Sequence, residues 1–343
     1  MLNNERSRLY INVVKGFAIF LMLWGHCIQY CSLNSFNFFE NIVFKIIYTF
    51  HMPLFMIVSG YLFYFSFQKR ELKELITHRA KPLLHTIVIG GILIYYLTTG
   101  LKGILSKKWH VLFNGAWLSS LSGIWFLWSV LVASLGVAII CKTIKRIYLQ
   151  VILLFLWAFV IYLFPNASNN LYMYPYYVIG FFFAKYKSKI QKKLFLIKYI
   201  SLLLFPIMLY AYVKGYTENF LKFKLDFFQY IIGLVGCVFA LTILEIIFNL
   251  LYERKKSLLF PLSKVGQMSL QIYVLSIIFL SSWLPTIYSK IIEIFSLGNI
   301  LAHNMLMYNF VYTFILSIAY TFILYFITKA IYKIRIGKMI FSR

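Results

Sequence analysis

The chain has 343 residues, of which 62% are hydrophobic and only 13% charged, which excludes an ordinary soluble domain and a disordered chain. Its 34 Lys and Arg stand against 9 Asp and Glu, a formal net charge of +25 that on a soluble protein would point to nucleic acid. Repeated apolar runs of about 20 residues, enough to cross a bilayer core of roughly 30 Å, turn that reading into a polytopic membrane protein with no nucleic-acid partner.

Hydropathy predicts ten spans, at 9–29, 42–67, 83–101, 124–141, 149–164, 171–185, 195–213, 227–250, 268–288 and 305–331. The fifth and sixth are short and flank the uncharged, turn-rich segment Pro165–Asn170, so one re-entrant hairpin is the alternative there. With the N-terminus inside, 25 of the 34 basic residues fall in cytoplasmic segments, eight fall outside, and Lys15 lies within the membrane. That asymmetry over short loops places both termini in the cytoplasm. The expected fold is therefore all-α, a bundle of about ten transmembrane helices. No loop is long enough for a separate domain and no internal repeat is visible. The first apolar run is interrupted by Lys15 and lacks a small-residue cleavage site, so no cleavable signal peptide is expected. Cys27, Cys31, Cys141 and Cys237 form no C-x-x-C pair and no Cys/His ligand spacing, so they read as small apolar residues, and no metal site is expected.

Ionisable groups inside a span are costly, so each is a functional candidate. In the first span Arg8, Asn12 and Lys15 share a helical face, and His26 follows Lys15 by 11 residues on the same stripe. That spacing is close to three turns, or about 16 Å. The stripe either faces a cavity, or Lys15 snorkels to the headgroups while His26 bonds a carbonyl. In the second span His51 precedes Pro53, whose missing N–H frees the Thr49 carbonyl and kinks the helix. His51 is either a packed core histidine or part of a cavity that the kink widens. The next loop is cationic. Lys69, Arg70 and Lys73 read as a solvated positive-inside face, whereas Arg79 and Lys81 stand just before Pro82, at a predicted helix start suited to an anionic ligand. Glu245 is the one acid deep in a predicted span. It either pairs with Lys15 or an Arg, relays protons, or reaches the interface. The aromatic islands at 123–128, 174–177 and around Tyr273 read mainly as an interfacial belt.

Taken together, these motifs resemble integral-membrane acyltransferase family 3, the bacterial sugar O-acyltransferases, and within it the fucose 4-O-acetylase-like branch. Lys15-Gly16 to Gly25-His26 resembles the family's first-helix signature of a basic residue, ten residues and a histidine. Phe50-His51-Met52-Pro53-Leu54-Phe55 with Ser59-Gly60 resembles its second-helix motif. Arg79-x-Lys81-Pro82, Trp125-Phe126-Leu127, Tyr174 through Gly180 and Gly266 through Tyr273 are similar to later motifs. The chain departs from the pattern at Asn12, where the family usually has Asp, at Lys81, where Arg is commoner, and at Ser276, where His is frequent.

The resemblance implies a single acyltransferase domain over 1–343, multi-pass in the bacterial cytoplasmic (inner) membrane. Its reaction would move an acetyl, or another acyl, from cytoplasmic acetyl-CoA to a hydroxyl of an envelope sugar, polysaccharide or lipid-linked glycan. Acetyl-CoA would be a co-substrate and no cofactor would be bound permanently. On this reading Lys15, Arg79 and Lys81 hold the phosphates of coenzyme A. His26 is the general base or carries the acyl group, and His51 stabilises the oxyanion or shuttles the proton. Asn12, Ser59, Trp125, Tyr273 and Glu245 are candidates for lining the acceptor cavity. The competing expectation is a transporter or flippase for a sugar or lipid-linked sugar, which ten spans and intramembrane charges also suit.

Overall fold

The structure, a computed structural model, describes residues 5–31, 37–105, 107, 109–214, 227–279, 284–294 and 308–333. Among these there is no strand, and the protein is an all-α polytopic membrane protein. The helices are α1 (Glu5–Tyr30), α2 (Ile42–Lys69), α3 (Leu72–Leu105), α4 (Trp109–Ser122), α5 (Trp125–Thr143) and α6 (Ile147–Ile161). They continue with α7 (Ala167–Lys214), α8 (Phe227–Arg254), α9 (Phe260–Gln267), α10 (Ser269–Ile278), α11 (Leu284–Ile294) and α12 (Thr313–Lys333). Seven of the described helical stretches are long and apolar enough to cross a membrane, and Ile147–Ile161 is a shorter apolar helix.

Three features differ from the sequence expectation. The spans predicted at 171–185 and 195–213 are parts of one continuous helix, α7, because nothing between Phe181 and Phe205 breaks it: that stretch has no Gly or Pro. Its lysines, read as a loop, lie over aromatic rings instead, Lys185 over Phe182 and Tyr186, Lys187 over Tyr61 and Lys189 over Tyr186. Arg79 and Lys81 do not mark a helix start, since α3 begins at Leu72 and carries Pro82 inside it. The Thr86 hydroxyl donates to the Pro82 carbonyl at 2.9 Å, a side-chain bond one turn beyond the proline. The segment predicted to lie outside at 102–123 contains helix α4. Residues 280–283 of the span predicted at 268–288, residues 305–307 of the last one, and both termini lie outside the described residues.

The chain divides into two compact units. The first holds α1, α2 up to Met52, α7 from Lys198, α8 from Val235, and α9 to α12. Its tightest crossing is α1 on α9. A Cβ at Gly16 would overlap the Leu262 carbonyl, and one at Gly266 would overlap the Asn12 carbonyl. Glycine at both positions lets the two backbones touch, the small-residue solution for packing in lipid. Leu9, Val13, Phe248 and Leu259 bury the cytoplasmic-side predicted end of α1 against α8 and the turn before α9. At the same end Lys256 donates to Glu5 at 2.7 Å, and this hydrogen bond holds the lysine's pKa above its ordinary value. Toward the other end of α1, Trp24 Nε1 donates to Thr313 Oγ1 at 3.0 Å, and Phe314 packs edge-on against Trp24.

The second unit holds α2 from Pro53, α3 to α6, α7 up to Ile197 and α8 up to Leu234. Here α2 and α7 cross through a reciprocal pair of glycines: Gly60 lies under the Tyr177 carbonyl and Gly180 under the Ile57 carbonyl. Ser129 donates to Asn170 at 2.6 Å in a buried bond that ties α5 to α7. Trp157 Nε1 donates to the Val132 carbonyl at 3.2 Å and ties α6 to α5.

Candidate active site

His26 lies near the end of α1, half-buried, on the face turned toward α2. Its Nδ1 is 3.3 Å from Gln29 Oε1, three residues on along the same helix, where side chains are neighbours. The same nitrogen is 3.4 Å from the Tyr48 hydroxyl, which in turn lies 3.5 Å from Gln29 Oε1. The Tyr30 ring stacks on the imidazole with centroids 5.8 Å apart.

Tyr48 is the centre of this arrangement. Its ring stacks on Phe44 at 3.9 Å and meets the His51 ring edge-on at 4.7 Å. The two histidines singled out in the sequence are therefore brought together on either side of one tyrosine. Gly25 makes this approach possible: a Cβ there would come within 2.6 Å of Tyr48 Cε2. His51 is 1% exposed, and its Nδ1 lies 2.8 Å from the Ile47 carbonyl one turn back. A carbonyl only accepts, so Nδ1 carries the proton and the neutral ring keeps its lone pair on Nε2.

The remaining candidates of this unit are more dispersed. Lys15 is half-buried on α1, about 16 Å along the helix from His26. Asn12 is half-buried one turn before it, with its carbonyl against Gly266. Tyr273 is buried on α10, where its carbonyl accepts the Ser276 hydroxyl at 2.7 Å. Glu245 accepts from Lys198 at 2.5 Å, and both side chains are partly exposed.

In the other unit Arg79 is half-buried and Lys81 exposed, both in the early turns of α3. The Arg79 guanidinium lies 5.9 Å from the Phe63 ring, and its buried Nε makes no hydrogen bond. The Tyr177 hydroxyl is fully buried, close enough to Arg79 and Ser134 to feel both, yet completes no hydrogen bond. Buried polar atoms without a partner are costly in an apolar interior, which marks both groups as unusual. Ser59 is half-buried on α2, one residue before Gly60. Trp125 is half-buried at the first position of α5, and its carbonyl accepts the Ser129 hydroxyl at 3.3 Å. Among the described residues no group of three or more His, Cys, Asp or Glu is arranged to hold a metal ion.

Gln29 and Tyr48 escaped the sequence reading, and Tyr177 was read only as part of the aromatic belt. The signals for them were present: Gln29 stands at helical spacing from His26, and Tyr48 three residues before His51. Tyr48 was masked by the general excess of tyrosine, most of which belongs to the interfacial belt, and Gln29 by being uncharged.

Two curated relatives are similar over part of the chain. The nodulation protein NolL of Mesorhizobium japonicum is 28% identical over 187 residues, 53% of this chain and 49% of the relative. The nodulation protein NolL of Sinorhizobium fredii is 30% identical over 200 residues, 53% of this chain and 50% of the relative. The matched part thus spans about half the length of each. No solved structure matches. The family model described as "Acyltransferase domain", of acyltransferase family 3, matches residues 8–329. That match takes in every residue placed above, from Asn12 to Ser276, and the chain belongs to the acyltransferase 3 family.

Proposed function

We propose that this protein is a membrane O-acyltransferase that moves an acyl group, acetyl in the first instance, from a cytoplasmic acyl-CoA to a hydroxyl of a cell-envelope glycan. The observation that carries this reading is the pairing of a half-buried His26 and a fully buried His51 around Tyr48. A sugar hydroxyl attacks a thioester at neutral pH only if a base takes its proton as it attacks. His26 is that base. The hydroxyl oxygen bonds to the thioester carbonyl carbon, its proton passes to the imidazole, the C–S bond breaks, and the imidazolium returns the proton to the leaving thiolate. The products are the ester and free coenzyme A.

The His51 hydrogen bond to Ile47 supports the second of its two roles. Neutral His51 has no N–H left at Nε2 for an oxyanion, but its free lone pair can receive and pass on a proton. For the donor, Arg79 and Lys81 in one unit and Lys15 in the other are each candidate phosphate ligands, with Tyr177 near Arg79 as a neutral hydrogen-bond partner. The distance of about 16 Å from Lys15 to His26 suits an extended pantetheine arm running along α1. Asn12, Ser59, Trp125 and Tyr273 are assigned to the acceptor side. The protein acts in the bacterial inner membrane, with both termini in the cytoplasm.

The test uses protein purified in nanodiscs, radiolabelled acetyl-CoA and an envelope-glycan extract. The expected result is label in the glycan with wild type and none with His26→Ala of equal folded yield. Equal transfer by His26→Ala would remove His26 as the base. Absence of any transfer by wild type, together with glycan uptake into sealed vesicles, would favour a transporter.

A further inference from the structure

A histidine that acts as a base must present one particular nitrogen, and what holds the other nitrogen decides which. His26 Nδ1 faces two oxygens, Gln29 Oε1 at 3.3 Å and the Tyr48 hydroxyl at 3.4 Å. The two oxygens are themselves 3.5 Å apart, and the tyrosine hydroxyl donates to the glutamine oxygen. With the hydroxyl proton directed at the glutamine oxygen, each oxygen keeps a lone pair that Nδ1 can meet, so a nitrogen facing both is best satisfied as an N–H. These separations are long for full hydrogen bonds, as is common before a substrate closes a site. We propose that Gln29 is a positioning residue for the acyl transfer described above: with Tyr48 it keeps the His26 proton on Nδ1 and leaves Nε2 to take the acceptor proton. The inference rests on that reading of His26.

The choice of an amide has a chemical consequence. A carboxylate at this place would stabilise the imidazolium formed in the first half of the reaction. Neutral Gln29 still orients the ring but does not trap the proton, so the imidazolium stays acidic enough to protonate the leaving thiolate. Among the described residues, the titratable groups shown against His26 are Tyr30 on its own helix and Tyr48 and His51 on α2. No carboxylate is among them, so the orienting role falls to Gln29.

The experiment compares wild type, Gln29→Ala and Gln29→Glu in nanodiscs, with histidine 15N spectra assigned by His26→Ala. Wild type is expected to show His26 as the Nδ1–H tautomer. Gln29→Ala is expected to lose that preference and about 10- to 100-fold in kcat, with KM for both substrates unchanged. Gln29→Glu keeps an acceptor oxygen and is expected to restore the Nδ1–H tautomer but only part of the rate, with the acid limb of its pH–rate profile moved to higher pH. An Nε2–H tautomer in wild type overturns the proposal, as does wild-type kcat in Gln29→Ala. If Gln29→Ala fails to fold, the wild-type spectrum and the Gln29→Glu pH profile decide alone. An inactive wild type would instead remove the acyltransferase reading, so the two failures are distinct.

Discussion

Replacing Gly25 by alanine is the sharpest available perturbation of the histidine pair, because it adds one methyl and removes nothing. The new Cβ would sit 2.6 Å from Cε2 and 3.3 Å from Cδ2 of Tyr48, and 3.6 Å from Ile47 Cγ2. Ordinary contact needs about 3.4 Å or more, so the tyrosine ring must retreat by roughly 0.8 Å. It has little room, with Phe44 stacked at 3.9 Å and His51 edge-on at 4.7 Å. A hydroxyl already 3.4 Å from His26 Nδ1 then leaves hydrogen-bond range. The steric term costs about 1–3 kcal/mol, while alanine in place of glycine within a helix returns about 1 kcal/mol. Net stability should therefore fall by no more than about 2 kcal/mol. Misplacing catalytic groups by about 1 Å can cost on the order of 100-fold in rate. The assay is paired: thermal unfolding in detergent and steady-state acyl transfer. We expect a folded protein with kcat reduced about 10- to 100-fold. Adding Gly25→Ala to Tyr48→Leu should have little further effect, because both act on one contact. Wild-type kcat in folded Gly25→Ala would refute the claim that Tyr48 couples the histidines.

Three further outcomes follow. Tyr177→Phe removes a buried hydroxyl that has no hydrogen bond, so stability should change by less than about 1 kcal/mol; KM for acyl-CoA should rise several-fold, and an unchanged KM would remove Tyr177 from the donor site. Gly60→Val drives a side chain into the Tyr177 carbonyl and should lower unfolding free energy by about 1–3 kcal/mol, read by thermal unfolding in detergent. Glu245→Gln breaks a partly exposed ion pair with Lys198 and should cost less than about 1 kcal/mol in the same assay; a larger loss would mean the pair holds α7 to α8.

The apolar run lengths made the all-α membrane fold legible, because a bilayer leaves backbone groups few other ways to be satisfied. Charge was the less faithful guide. Lysines between 185 and 193 marked a loop in the sequence yet belong to α7, since long aliphatic stems with cationic tips cover a helix surface as well as they solvate a turn. Pro82 marked a helix start yet lies inside α3, where Arg79 and Lys81 already belong to regular turns. The candidate site was legible in part. Lys15, His26 and His51 stood out because ionisable groups are rare in spans. Tyr48, which lies between the two histidines, did not, because its role depends on the approach of α1 to α2 at Gly25. Gln29 shares a helix with His26 but gains meaning only once Tyr48 closes the triangle. Tyr177 is exposed as unusual only by what it lacks, a hydrogen-bond partner.

The central claim, that His26 carries acyl transfer to an envelope glycan, is tested most directly by comparing the NMR spectra of envelope glycans from cells bearing wild-type protein and His26→Ala at equal expression. The account predicts that one O-acyl signal present with wild type is lost with His26→Ala. Identical spectra would contradict it.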